Sequence, residues 1–185
     1  MIPEGTLLDE AMILKLSAFF RSSLTLDPTA DVTLADEIAL RDPRWMLTWH
    51  EVGDILDRIA NRLLATDLGP SRRVAVFAEN ANQTALTHLG GLLGGASTVP
   101  VNFHLTADEA AYIIADSESS IVFVGPETVA RAEMAADIVA ASGVPRPTIV
   151  GWAASHSQVV LDWTTWVAEG PSGDPPSDIE PRPNL

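Results

Sequence analysis

The feature that most limits how this chain can fold is an alternation of short apolar runs with helix-forming stretches. Arg73-Val-Ala-Val-Phe-Ala78, Ala96 to Val101, Ile121-Val-Phe-Val124 and Thr148-Ile-Val150 are short, apolar and rich in β-branched residues. Each reads as a buried strand. Roughly 10–15 residues of helical character separate them, the spacing of βαβ units. Parallel strands need such crossovers, so the units stack into a mainly parallel sheet with helices on its faces. The expected class is α/β.

Local signals place the remaining elements. Val52, Ile55, Leu56, Ile59, Ala60, Leu63 and Leu64 mark one face of a helix of period 3.6. Thr48 and Glu51 have capping-box spacing at its start, and Leu47 and Val52 stand where a hydrophobic staple would. Gly69-Pro70 is expected to end it. Glu37 to Arg41 and Trp45 to Thr48 read as a hairpin around Asp42-Pro43. Asn80 is expected to cap a helix running to about Gly94. Thr106 and Glu109 form a second capping box, opening a helix to about Asp116, and Pro126 should start one that fades by Ser142. Residues 1–30 read as an N-terminal segment with one short helix, Leu7 to Phe20, and residues 31–169 as the α/β unit. Residues 170–185, with five prolines and two glycines, read as an extended linker.

Charge narrows the partners. The 185 residues carry a formal charge of -14. Such a surface repels phosphate backbones, so nucleic acid is not an expected partner. There are no cysteines, which removes disulfides, thiolate catalysis and Cys-type zinc sites. No run approaches the ~20 apolar residues of a membrane span. Glu4, Asp9 and Glu10 stand where a signal peptide would be positive. The chain reads as soluble and cytoplasmic.

Candidate site residues are few. Gly90, Gly91, Gly94 and Gly95 fall within or after a helix, too late for a phosphate-cradling loop between strand and helix. They fit close helix packing and a C-cap. Lys15 is the single lysine beside ten arginines, so no Walker-type loop is present. His50, His88, His104 and His156 lack metal-ligand spacing, and no metal site is expected. His104, in the loop before Thr106, and His88, on the glycine-rich helix, are the candidate substrate-binding residues. Ser117, Ser119 and Ser120 have no nucleophile elbow around them. The tryptophans at 45, 49, 152, 163 and 166 read as packing residues. No catalytic residue is assigned.

An ordered set of segments then resembles the start of adenylate-forming enzymes. Leu47 to Val52 matches (L/T)-T-(Y/W)-x-E-(L/V), and Ala60 to Leu63 matches AN-R-L. Leu68 to Ala75 follows the G-P-x-D-R-V-A turn and strand, with Ser71 as a minor departure. Asn80, Gly95-Ala96, Val99 to Asn102, Leu105 to Glu109 and Asp116-Ser117 continue in order. The similarity covers about residues 30–150. Val99-Pro100-Val101-Asn102 resembles the fatty-acyl and aryl-acyl CoA ligase branch, whereas peptide-synthetase adenylation domains tend to V-P-L-D-P. His104 stands where N-x-R-L usually places arginine.

The resemblance implies the N-terminal subdomain of the acetyl-CoA synthetase-like fold. It also implies a two-step reaction using ATP, Mg2+ and coenzyme A on a carboxylic acid, with a fatty acid as the expected substrate. The ATP-binding loop of the family lies beyond the matched region. The expectation is therefore a chain cut before that loop, binding no cofactor and inactive alone, with an apolar flank that could also form a homodimer. The alternatives are a stand-alone binding or assembly module reusing this lobe and a nucleotide-binding Rossmann-type regulator.

Overall fold

The structure, a computed structural model, describes residues 36–152, 160–176 and 179. The expected helix Leu7 to Phe20 lies outside the described residues. Strands β1 (Ile38–Arg41) and β2 (Met46–Thr48) pair antiparallel as the expected hairpin. Helix α1 (Trp49–Ala65) follows directly. Its capping box is present: the Thr48 hydroxyl accepts the Glu51 N–H, and the Glu51 carboxylate accepts the Thr48 N–H at 2.8 Å. The helix ends at Thr66, in extended conformation, before Gly69-Pro70 is reached.

The remaining elements alternate. They are β3 (Arg73–Phe77), α2 (Asn82–Leu93), β4 (Ser97–Val101), α3 (Ala107–Asp116), β5 (Ile121–Val124), α4 (Val129–Ala141), β6 (Thr148–Gly151), β7 (Val160–Asp162) and α5 (Trp163–Ala168). The strands form one parallel sheet in the order β4-β3-β5-β6-β7. The second capping box, Thr106 with Glu109, opens α3 as expected.

Alternate residues of the buried strands serve opposite faces. Val74, Val76, Ile121, Phe123 and Val150 join α1, α2 and α5 in one core. Ala75, Phe77, Val122, Val124 and Ile149 join α3 and α4 in the other. The sheet is thus the middle of three layers.

Three expectations are corrected. Asn80 does not cap α2: the N-cap position is Ala81, without a side-chain hydrogen bond. Helix α4 begins at Val129, because Thr128 is held in place first by its buried hydroxyl, which donates to Phe77 O and to Gly125 O. The sheet also has a fifth parallel strand, β7, and α5 behind it, both too short to show periodicity.

The glycines behave as packing residues. A Cβ on Gly90 would lie 2.6 Å from Ile59 Cγ2, and one on Gly94 would lie 2.9 Å from Ala60 O. Helices α1 and α2 therefore touch backbone to backbone. Gly95, at φ 64, takes the left-handed conformation beyond the end of α2.

The start of the proline-rich segment lies along α1. Asn61 Nδ2 donates to Pro171 O at 3.0 Å and to Gly173 O at 2.7 Å. Arg58 Nη1 donates to Gly170 O at 3.1 Å, and Arg62 pairs with Glu169 at 2.7 Å.

Candidate functional site

Open parallel sheets offer ligands a crevice at the carboxyl ends of strands where the winding reverses. Here the chain leaves β3 towards β4 on one side and leaves β5 towards β6 on the other. The reversal therefore falls between β3 and β5. A cavity of about 290 Å³ lies there. Glu79, Asn80 and Ala81 from the loop after β3, with Gln83 of α2, form one wall. Pro126 and Glu127 after β5 and Trp152 after β6 form another. The hairpin turn Asp42 to Trp45 and Thr164 of α5 complete the lining.

Hydrogen bonds fix these walls to one another. Asp42 Oδ1 accepts the N–H groups of Arg44 and Trp45, both at 2.8 Å. Its Oδ2 accepts the Asn82 N–H at 3.0 Å. Asn82 Nδ2 returns a bond to Trp45 O at 3.3 Å. The hairpin turn thus supplies the missing cap of α2, and its negative charge complements the helix dipole. Across the cavity, Glu127 Oε1 accepts the Glu79 N–H at 2.6 Å, tying the loops after β3 and β5 together. Trp45 meets the buried Trp163 edge-on, with ring centroids 5.8 Å apart.

The electrostatics are acidic. Burial pushes the Asp42 carboxyl up, but N–H donors from Asn82, Arg44 and Trp45, with the Arg44 charge, outweigh it. The group is held below its ordinary value of 3.8. Among the described residues that line the cavity, the acidic Asp42, Glu79 and Glu127 stand against one guanidinium, Arg44.

The expected site residues lie elsewhere. His88 Nδ1 is 3.0 Å from Thr98 Oγ1, and half-burial of the ring lowers its pKa. His104 is exposed and stacks on Phe103, with centroids 3.9 Å apart. Neither lines the cavity. His50 is exposed, and His156 lies outside the described residues. Trp163 and Trp166 are core residues as expected, and Trp45 and Trp152 pack against that core as expected while also lining the cavity. A bulky aromatic one residue past a strand end is the signal that marks Trp152. Asp42, Glu79, Gln83 and Glu127 carry no sequence motif.

The described residues do not fit the phosphates of ATP or coenzyme A. The loops after β3 and β5 read Glu79-Asn80-Ala81 and Gly125-Pro126-Glu127, without lysine or a glycine series. A phosphate there would meet carboxylates. No group of three or more His, Asp or Glu placed to hold a metal occurs among the described residues. No helix among them is long and apolar enough to cross a membrane.

Residues 27–183 match the family model described as AMP-binding enzyme. The 4-hydroxybenzoate–CoA/benzoate–CoA ligase of Rhodopseudomonas palustris is 28% identical over 120 residues, 61% of this chain and 22% of that protein. The long-chain-fatty-acid–CoA ligase FadD13 of Mycobacterium tuberculosis is 28% identical over 111 residues, 60% of this chain and 21% of that protein. Among solved structures, the anthranilate CoA ligase AuaEII in complex with anthranoyl-AMP superposes with a TM-score of 0.69 at 18% identity. That match covers 90% of this chain and 29% of the other. The chain spans about a fifth of the length of these curated relatives. A family match over most of its length, carried on the doubly wound sheet described above, places the chain in the AMP-binding, adenylate-forming enzyme family, with the fold of the N-terminal portion of acyl-CoA ligases.

Proposed function

We propose that this chain supplies the N-terminal α/β lobe of an ATP-dependent carboxylate–CoA ligase. In the complete reaction a carboxylate oxygen attacks the α-phosphorus of ATP, giving acyl-AMP and pyrophosphate. The thiol of coenzyme A then displaces AMP to give the thioester. Adenylation exchanges a poor leaving group for a good one, and the protein's part is positioning and charge neutralisation. The family match over residues 27–183 carries this reading. The acidic cavity does not neutralise phosphates, so the 185-residue chain is inactive alone and ATP and Mg2+ are held by other parts of the ligase. The substrate in this reading is a fatty acid, on the similarity to FadD13. The similarity to benzoate–CoA ligase makes an aryl acid the second choice. The exposed Ile38, Met46 and Trp49 on the hairpin and α1 form the apolar flank that meets the remaining lobes, or a second copy. The enzyme is soluble and cytoplasmic in this reading.

The test is a chimera in which this lobe replaces its counterpart in benzoate–CoA ligase. Retained thioester formation supports the reading, and a folded chimera that neither adenylates nor transfers overturns it. Pyrophosphate release by the 185-residue chain with ATP and a fatty acid would refute inactivity alone.

A further inference from the structure

We infer that the cavity between the ends of β3 and β5 binds a cationic nitrogen group, an ammonium or a guanidinium. Two independent observations carry this. The first is charge. Asp42 already accepts three N–H groups, and Glu127 accepts that of Glu79. The Glu79 carboxylate itself has no partner among the described residues and is exposed at the lining. The indoles of Trp45 and Trp152 line the same space, and aromatic rings attract cations through their quadrupole.

The second observation is Gln83. It is only 6% exposed and lines the cavity, yet its side-chain amide makes no hydrogen bond among the described residues. Without a protein partner, that amide is left open to the cavity. Its carbonyl oxygen would accept an N–H from the bound group. A carboxylate or phosphate would instead meet carboxylates on both walls, which outnumber the guanidinium of Arg44 among the described lining residues. The volume of about 290 Å³ suits one small polar head rather than a nucleotide. None of this depends on the ligase reading.

The test titrates the whole 185-residue chain with arginine amide, n-butylamine and a capped Gly-Arg-Gly peptide, following tryptophan fluorescence and heat. Benzoate and inorganic phosphate serve as anionic controls. The expected result is saturable, salt-weakened binding of the cations alone. Glu79→Gln should weaken it about tenfold, the weight of one charge-assisted hydrogen bond. Gln83→Leu should weaken it similarly without lowering the melting temperature. Glu79 is exposed, so its variant folds and tests the inference by itself. A peptide binding tighter than arginine amide assigns the site to a basic side chain of a protein partner; equal or weaker binding assigns it to a free small cation. No saturable cation binding at millimolar concentration, equal binding of the anions, or wild-type affinity in Glu79→Gln overturns the inference.

Discussion

Asp42 Oδ2 accepts the backbone N–H of Asn82 at 3.0 Å, across forty residues of sequence. One carboxylate thereby closes the hairpin turn and caps the helix after β3. Asp42→Ala should lower stability by about 1–2 kcal/mol, the range for a lost cap, and Asp42→Asn by less. The pKa of this group is depressed on folding, so its contribution is present above the unfolded value of 3.8. It is lost as pH falls through the lower folded value. Urea denaturation of both variants, repeated in acid, measures this.

His88 should give a pH dependence of the same sign from a different cause, the burial of a neutral ring. Burial lowers its folded pKa below 6.5, so below that pH the unfolded chain takes up a proton before the folded chain does. Stability should therefore fall as pH drops from above 6.5 to the folded value, and then level off for this group. His88→Asn should flatten that slope. Denaturation midpoints between about pH 7.5 and about pH 5 decide the matter.

Gly94 and Gly53 should respond in opposite directions to alanine. At Gly94 a Cβ meets Ala60 O at 2.9 Å, where only backbone can yield, and overpacking should cost about 1–3 kcal/mol. At Gly53, inside α1, nothing lies within 4 Å, so Gly53→Ala should gain about 0.5–1 kcal/mol. Thermal melts of the two single variants separate packing from propensity.

Asn61 binds the segment after α5 through two carbonyls, those of Pro171 and Gly173. Asn61→Ala should release it. Amides of residues 170–174 should exchange about tenfold faster, while those of β3 and β5 stay protected. Hydrogen exchange read by mass spectrometry checks the prediction.

Much of this architecture was legible residue by residue. The capping boxes at Thr48 and Thr106, the face from Val52 to Leu64 and the four apolar runs all depend on neighbours within one helical turn or one strand. The strand β7 was not legible, because Val160-Leu161-Asp162 is three residues long and gains its identity from pairing with Ile149 to Gly151. The cap of α2 was not legible either. Asn80 has the right chemistry and the nearer position, but Asp42 arrives from the hairpin and takes the N–H of the first helical residue.

The candidate site shows the same division more sharply. His88 and His104 stood out by residue type, yet His88 is bonded to Thr98 and His104 stacks on Phe103, both away from the cavity lining. Glu79 with Gln83, Glu127 and Trp152 come from three separate stretches, after β3, β5 and β6, and no spacing in the chain links the three. Local periodicity and caps alone determined the α/β class and the order of its principal units. Only the tertiary fold decided which strands became neighbours and where winding reverses. That reversal sets the cavity, because it alone brings the ends of β3 and β5 beside a hairpin distant in sequence.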